Sequence, residues 1–108
     1  MTHAVIYKAA HLRLGEIWDY TAQKWGEEQA DTYVRALGVS IQSISTCRHT
    51  WRSPKEKRLP DVFFIKSGHH FIFFKETAEQ IAVISILHEN MDILSRLQED
   101  AAEDVSGD

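Results

Sequence analysis

Val62–Asp92, VFFIKSGHHFIFFKETAEQIAVISILHENMD, decides the fold. Val62 to Lys66 and His69 to Lys75 are rich in Phe and Ile and are separated by Ser67-Gly68, a tight-hairpin signal. Gln80 to His88 adds a third run of β-branched character. A two-residue loop pairs Lys66 with His69. Val62, Phe64, Phe71 and Phe73 then share one face, and Phe63, Ile65, Ile72 and Phe74 the other. Both faces are apolar, whereas a sheet open to water on one side alternates apolar with polar, so this hairpin needs cover on both sides.

Upstream, HAVIYK (His3 to Lys8) reads as a short edge or partner strand. Leu14, Ile17, Trp18, Thr21 and Trp25 then follow helical spacing, the core-facing stripe of a helix that begins near Ala9 or Ala10 and ends at Gly26. Glu27 and Glu28 suit the start of a second helix, whose stripe is Ala30, Tyr33, Val34, Leu37, Ile41 and Ile44, with Cys47 continuing it as a small core residue. The two form an antiparallel helical hairpin, with Gly15 and Gly38 read as points of close backbone approach. Arg48 to Pro60 carries both prolines and five of the twelve bases, a basic loop without period. Ile93, Leu94 and Leu97 suggest a short closing helix after Asp92. The order β-α-α-β-β-β-(α) is an α+β fold, an antiparallel sheet packed against a helical hairpin, with one sheet face left largely uncovered.

At 108 residues the chain is one domain. An apolar fraction of 44% with three Trp, five Phe and three Tyr supports a packed core. No apolar run is long enough for a membrane span and MTHAVIYK is not a signal peptide, which leaves the cytoplasm as the expected location. The net charge of −4 is uneven, with eleven acids against twelve bases in residues 1–97 and five acids without a Lys or Arg after them. The body is near neutral, and residues 98–108 read as an acidic, solvated tail.

Chemical signals are sparse. His69-His70 are adjacent on a strand and point to opposite faces, and no second ligand cluster accompanies them, so no metal site and no cofactor are expected. His88 precedes Asp92 by four residues; the pair reads either as a carboxylate orienting an imidazole for acid/base work or as a strand-closing His beside a helix cap. Arg48, Arg52, Lys55, Lys57 and Arg58, with Trp51 among them, read either as a phosphate-contacting, base-stacking patch or as solvated surface. No phosphate loop, nucleophile elbow or paired-carboxylate signature is present.

The helical segment IWDYTAQKWGEEQADTYVRAL, the hairpin FFIKSGHHFIFFK and the ending ILHENMD together resemble the ParE branch of the RelE/ParE toxins of bacterial toxin–antitoxin modules, over Val5 to Leu97. The resemblance implies a toxin that inhibits DNA gyrase, through its A subunit, by binding and without cleavage chemistry. It also implies neutralisation by a cognate antitoxin, and no direct nucleic-acid contact except through the toxin–antitoxin complex. RelE-like relatives are ribosome-dependent mRNA endonucleases that use basic side chains on the central strands. Here only Lys66 and Lys75 are on offer, Ser85 stands where many relatives carry an Arg, no Tyr follows Tyr33, and His88 is left as the sole general base for that alternative. A non-toxic binding module on the same fold is the other alternative. The apolar Trp18, Tyr33, Leu37, Phe63, Ile65, Ile72 and Phe74 are the candidate antitoxin-binding residues. The basic loop (Arg48, Trp51, Arg52, Lys55, Lys57, Arg58), together with His88 and Asp92, is the candidate target-binding set.

Overall fold

The structure, a computed structural model, describes residues 3–55 and 59–106, with side chains through residue 102. Strand β1 (His3–Ile6) leads into helix α1 (Lys8–Trp25) and helix α2 (Glu27–Ser43). Two single 3-10 turns, Ile44–Thr46 and Arg48–Thr50, precede β2 (Val62–Ser67), β3 (His70–Glu76), β4 (Gln80–His88) and α3 (Ile93–Ser106). The strands form one sheet in the order β1-β4-β3-β2. The expected α+β architecture is present, with one change: β1 runs parallel to β4, so the sheet is mixed rather than antiparallel. β1 and β4 meet across most of the length of the chain, His3 with Gln80 to Ile6 with Val83, and no local pattern in either strand states the direction in which they meet.

Gly26 makes the break between the helices. Its φ of +97° is open to glycine, and its N–H bonds the Ala22 carbonyl while its own carbonyl accepts the Ala30 N–H. The β2–β3 turn is Gly68-His69 rather than Ser67-Gly68, and it pairs Ser67 with His70 and Lys66 with Phe71. Gly68 takes the positive φ (+61°) that the first position of a type II′ turn requires. Pairing therefore shifts by two residues in total, which preserves the expected face assignment. Between β3 and β4 the register slips at Phe73/Phe74, where Phe73 pairs with Ser85 and Phe74 with Val83, leaving Ile84 as an extra bulged residue. The bulge reverses the alternation of β4. Ile81, Val83 and Ile86 join the core under the helical hairpin, and Ile84 and Leu87 join the one under α3.

Both sheet faces are covered within the chain. Ile65, Ile72 and Phe74 pack beneath Ile17, Leu37, Ile41 and Ile44, with Phe63 and Trp51 at the margin. On the other face Val62, Phe73, Ile84 and Leu87 pack against Leu97 and Ala101. The expected uncovered face and the tail beginning at residue 98 are both corrected here, because α3 continues as helix to Ser106. Leu97 and Ala101, four apart, supply its inner stripe, and the Asp100 carboxylate between them is buried against Arg13 and Ser85. Charge composition alone suggested solvent for a segment whose Asp100 is buried against a partner far away in sequence.

Other side-chain expectations also change. Trp25 is 69% exposed instead of core, and Trp18 is half-buried with its indole N–H donating to Asp31 (2.8 Å). Gly15 and Gly38 have open space where a Cβ would stand, so neither mediates close packing. Cys47 is half-buried at the junction of the 3-10 turns rather than within the core.

Candidate functional site

An open groove of about 1000 Å³ lies between the C-terminal half of α1, the first turns of α2 and the adjoining ends of β3 and β4. Tyr20, Lys24 and Trp25 line it from α1 and Tyr33 from α2, while His69, His70, His88 and Asn90 line the sheet side. Ile17 and Ile86 are its buried apolar members. Tyr20 (59%) and Trp25 (69%) leave large aromatic area in water, which is unusual unless a partner covers it.

Tyr33 organises the sheet side. Its hydroxyl lies 2.7 Å from His70 Nδ1 and accepts the His69 backbone N–H at 3.1 Å. A Cβ on Gly68 would lie 2.7 Å from the same oxygen, so this turn position excludes any side chain for a second reason besides its φ. His70 is buried (9% exposed), and burial together with the neighbouring His88 and His69 pushes its pKa down to about 4. The ring is therefore neutral at pH 7 and shares a hydrogen bond with the Tyr33 hydroxyl through Nδ1. His88 packs edge-on against His70 (centroids 5.1 Å) and stacks with His69 (6.3 Å). Glu89 bridges His69 Nδ1 (2.8 Å) and Lys66 Nζ (3.0 Å), and these two contacts hold its carboxyl below the ordinary range.

Among the described residues no group of three or more His, Cys, Asp or Glu is arranged to hold a metal. Asp92 does not orient His88, whose Nδ1 instead accepts the Asn90 backbone N–H (3.0 Å). Asp92 sits at the start of α3, where its carbonyl accepts the Arg96 N–H. That arrangement is the strand-closing reading of the pair.

In the basic loop, Trp51 is turned toward the sheet. Trp51 packs edge-on to Phe74 (4.8 Å) and beside Phe63 (5.5 Å), and its indole N–H bonds the Ile44 carbonyl. Arg48 lies over the Trp51 ring (4.5 Å) and pairs with Glu76. Arg52 bridges to Phe64 through its backbone, extending the sheet edge. Lys55 is exposed, and Lys57 and Arg58 lie outside the described residues.

The family described as ParE toxin of type II toxin-antitoxin system, parDE, matches residues 5–93. The chain belongs to the ParE toxin family. Toxin ParE1 of Mycobacterium tuberculosis is 36% identical over 86 residues, covering 79% of this chain and 87% of its own. Toxin ParE1 of Caulobacter vibrioides is 30% identical over 90 residues (83% and 92% of the two chains). Toxin ParE of Escherichia coli is 29% identical over 98 residues (90% and 94%). A solved structure of the chromosomal ParDE TA system from P. aeruginosa superposes with a TM-score of 0.69 at 16% identity, over 82% of this chain and 96% of that one, a likeness of fold. The chain is thus a toxin of a type II toxin–antitoxin system, as the resemblance implied.

Within this ParE toxin the candidate antitoxin-binding residues separate. Leu37, Ile65, Ile72 and Phe74 are buried in its own core and cannot meet a partner without unfolding, and Phe63 is half-buried at the core margin. Trp18 and Tyr33 keep part of their surface. Tyr20, Trp25 and the clustering of three histidines were missed in the sequence. The one available signal was the position of Trp25, whose place in the last turn before a helix-breaking Gly leaves it at a corner rather than over the sheet.

Proposed function

We propose that this toxin acts by binding DNA gyrase rather than by cleaving RNA, and that a cognate antitoxin neutralises it by covering exposed parts of the groove, with Trp18, Tyr20, Trp25 and Tyr33 as contacts. The observation that carries this reading is where the cations go. Arg13 is held by Asp100, Arg48 by Glu76 and Lys66 by Glu89. A phosphate-reading enzyme needs unpaired cations facing its substrate. The groove instead presents exposed aromatics and the neutral buried imidazole of His70, with Lys24 lying over the Tyr20 ring at its margin. Arg52, Lys55, Lys57 and Arg58 remain candidates for target contact, together with His88 and Asp92. The absence of a helix long and apolar enough to cross a membrane, among the described residues, fits a cytoplasmic target.

The test is supercoiling by purified gyrase with increasing toxin, run beside cleavage of ribosome-bound message. Inhibited supercoiling with intact message is expected. Unchanged supercoiling at micromolar toxin with cut message would establish the ribonuclease alternative. In that case His88→Gln should lower the rate by about 10² to 10⁴.

A further inference from the structure

The stretch that carries the family likeness, residues 5–93, takes in the helical hairpin, β2, β3 and β4 and stops at the first residue of α3. The two cores divide in the same way. The core between the sheet and the helical hairpin contains no residue of α3, whereas Leu97 and Ala101 belong to the other. Among the described residues α3 shares no backbone hydrogen bond with a strand or with another helix, and its first turn closes on Asp92. Side chains hold it: Leu97 and Ala101 on the sheet face, Ile93 at their margin, and the Asp100 carboxylate on Arg13 and Ser85. Release of α3 therefore breaks no strand pairing and leaves the first core closed. Those are the conditions under which a segment opens on its own rather than with the whole fold.

The surface that α3 covers has a definite chemistry. Val62, Phe73, Ile84 and Leu87 are buried in the core it closes, and Phe64 and Phe71 at the margin are half-buried. Without α3 these side chains form an apolar patch of the kind that marks an interaction site. Beside them stand the Arg13 guanidinium and the Ser85 hydroxyl, both answered by one carboxylate of α3. A purely apolar occupant would strand both groups, and a small anion would leave the apolar side chains in water. An occupant must bring an apolar side chain and a carboxylate one helical turn apart, the spacing of Leu97 and Asp100. A buried ion pair contributes little net stability, yet a missing partner is heavily penalised, which suits a contact that selects its occupant and can still let it go.

We propose that α3 is a releasable cap, and that the sheet face beneath it is a second binding surface of this toxin, for an amphipathic helix of a protein partner that sets an apolar side chain in the place of Leu97 and a carboxylate, three residues on, in the place of Asp100. This surface lies across the sheet from the helical hairpin, and the proposal stands whether or not gyrase is the target.

The experiment keeps the full chain. In native-state hydrogen exchange the amides of Leu97 to Ala101 should exchange at least about tenfold faster than those of β3 and β4, since only a local opening is needed. A fluorescein-labelled peptide of residues 93–106 is then titrated, up to millimolar concentration, into the chain and into its Leu97→Ala variant, whose own α3 competes less well. The variant should bind the peptide at least about tenfold tighter than the parent does, with the protection of its β3 and β4 amides retained. A peptide carrying Asp100→Leu should bind the same variant at least about tenfold more weakly, the size of a lost hydrogen bond to a buried charge. That preference should vanish when Arg13→Met is added to the chain. The exchange measurement uses the parent chain and decides the matter even if Leu97→Ala fails to fold. Exchange of α3 only through global unfolding, no binding of the peptide to a folded Leu97→Ala chain, equal affinity for the two peptides, or a preference that survives Arg13→Met would each overturn the proposal.

Discussion

Arg13 and Asp100, 87 residues apart, form a two-pronged ion pair, Nε to Oδ2 at 2.9 Å and Nη2 to Oδ1 at 3.0 Å. The Ser85 hydroxyl donates to the same Oδ2 at 2.6 Å, so α1, β4 and α3 meet at a single carboxylate. The pair holds the Arg13 guanidinium further above its already high pKa, chiefly through the hydrogen bonds to Asp100 and against the cost of burial.

Removing one partner strands the other. Asp100→Ala leaves Arg13 and Ser85 unanswered and should cost about 2–4 kcal/mol, somewhat below the range for a fully buried pair because Arg13 keeps 15% of its side-chain surface. The urea midpoint should fall with an unchanged slope. The Arg13→Met/Asp100→Leu double variant should recover most of the loss. A single-variant cost below about 0.5 kcal/mol would mean that α3 is held by apolar packing alone.

Two glycines should respond in opposite directions to the same change. Gly38→Ala sits within α2 with open space around it and should stabilise by about 0.5–1 kcal/mol. Gly68→Ala meets the Tyr33 hydroxyl at 2.7 Å on a backbone with φ +61° and should destabilise by about 1–3 kcal/mol. Thermal melts of both variants, read against the parent, check the signs.

Stability should fall on mild acidification. The His70 pKa drops from 6.5 to about 4 on folding, so between these values the unfolded chain binds more protons. The contribution is fully present above pH 6.5 and is lost as pH falls toward 4. Allowing for screening through the open groove, the loss is about 1–2 kcal/mol. Glu89, depressed below 4.5 chiefly by its His69 hydrogen bond, adds a further loss only below that pH. Denaturant midpoints from pH 7.5 to 4 should slope downward, and His70→Gln should flatten the upper part of the curve.

Leu37 and Trp25 separate core from contact surface. Leu37→Ala should cost about 2–5 kcal/mol, because the side chain is 1% exposed. Trp25→Ala should change stability by less than about 0.5 kcal/mol, since 69% of the residue is already in water. A pull-down with the cognate antitoxin should weaken with Trp25→Ala while the melting temperature stays put. Loss of both together would place Trp25 in the fold rather than in the contact.

The face assignment of the β2–β3 hairpin, the helical hairpin with its break at Gly26 and the order of the elements were legible in the sequence. Each rests on local periodicity or on one residue's allowed backbone conformations, and such signals act over a few neighbours. Four features were decided by the tertiary structure: the parallel partner of β1, the bulge at Ile84, the burial of Asp100 and the clustering of His69, His70 and His88 around Tyr33. Each joins residues from distant segments, and the sequence does not state which of them meet. An acidic segment reads as solvated until an Arg from α1 neutralises the buried Asp100. Three histidines read as separate until β3, β4 and the turn between β2 and β3 bring their rings to one end of the sheet. The contacts that hold two of these rings, a carboxylate for His69 and a backbone amide for His88, exist only in the folded chain.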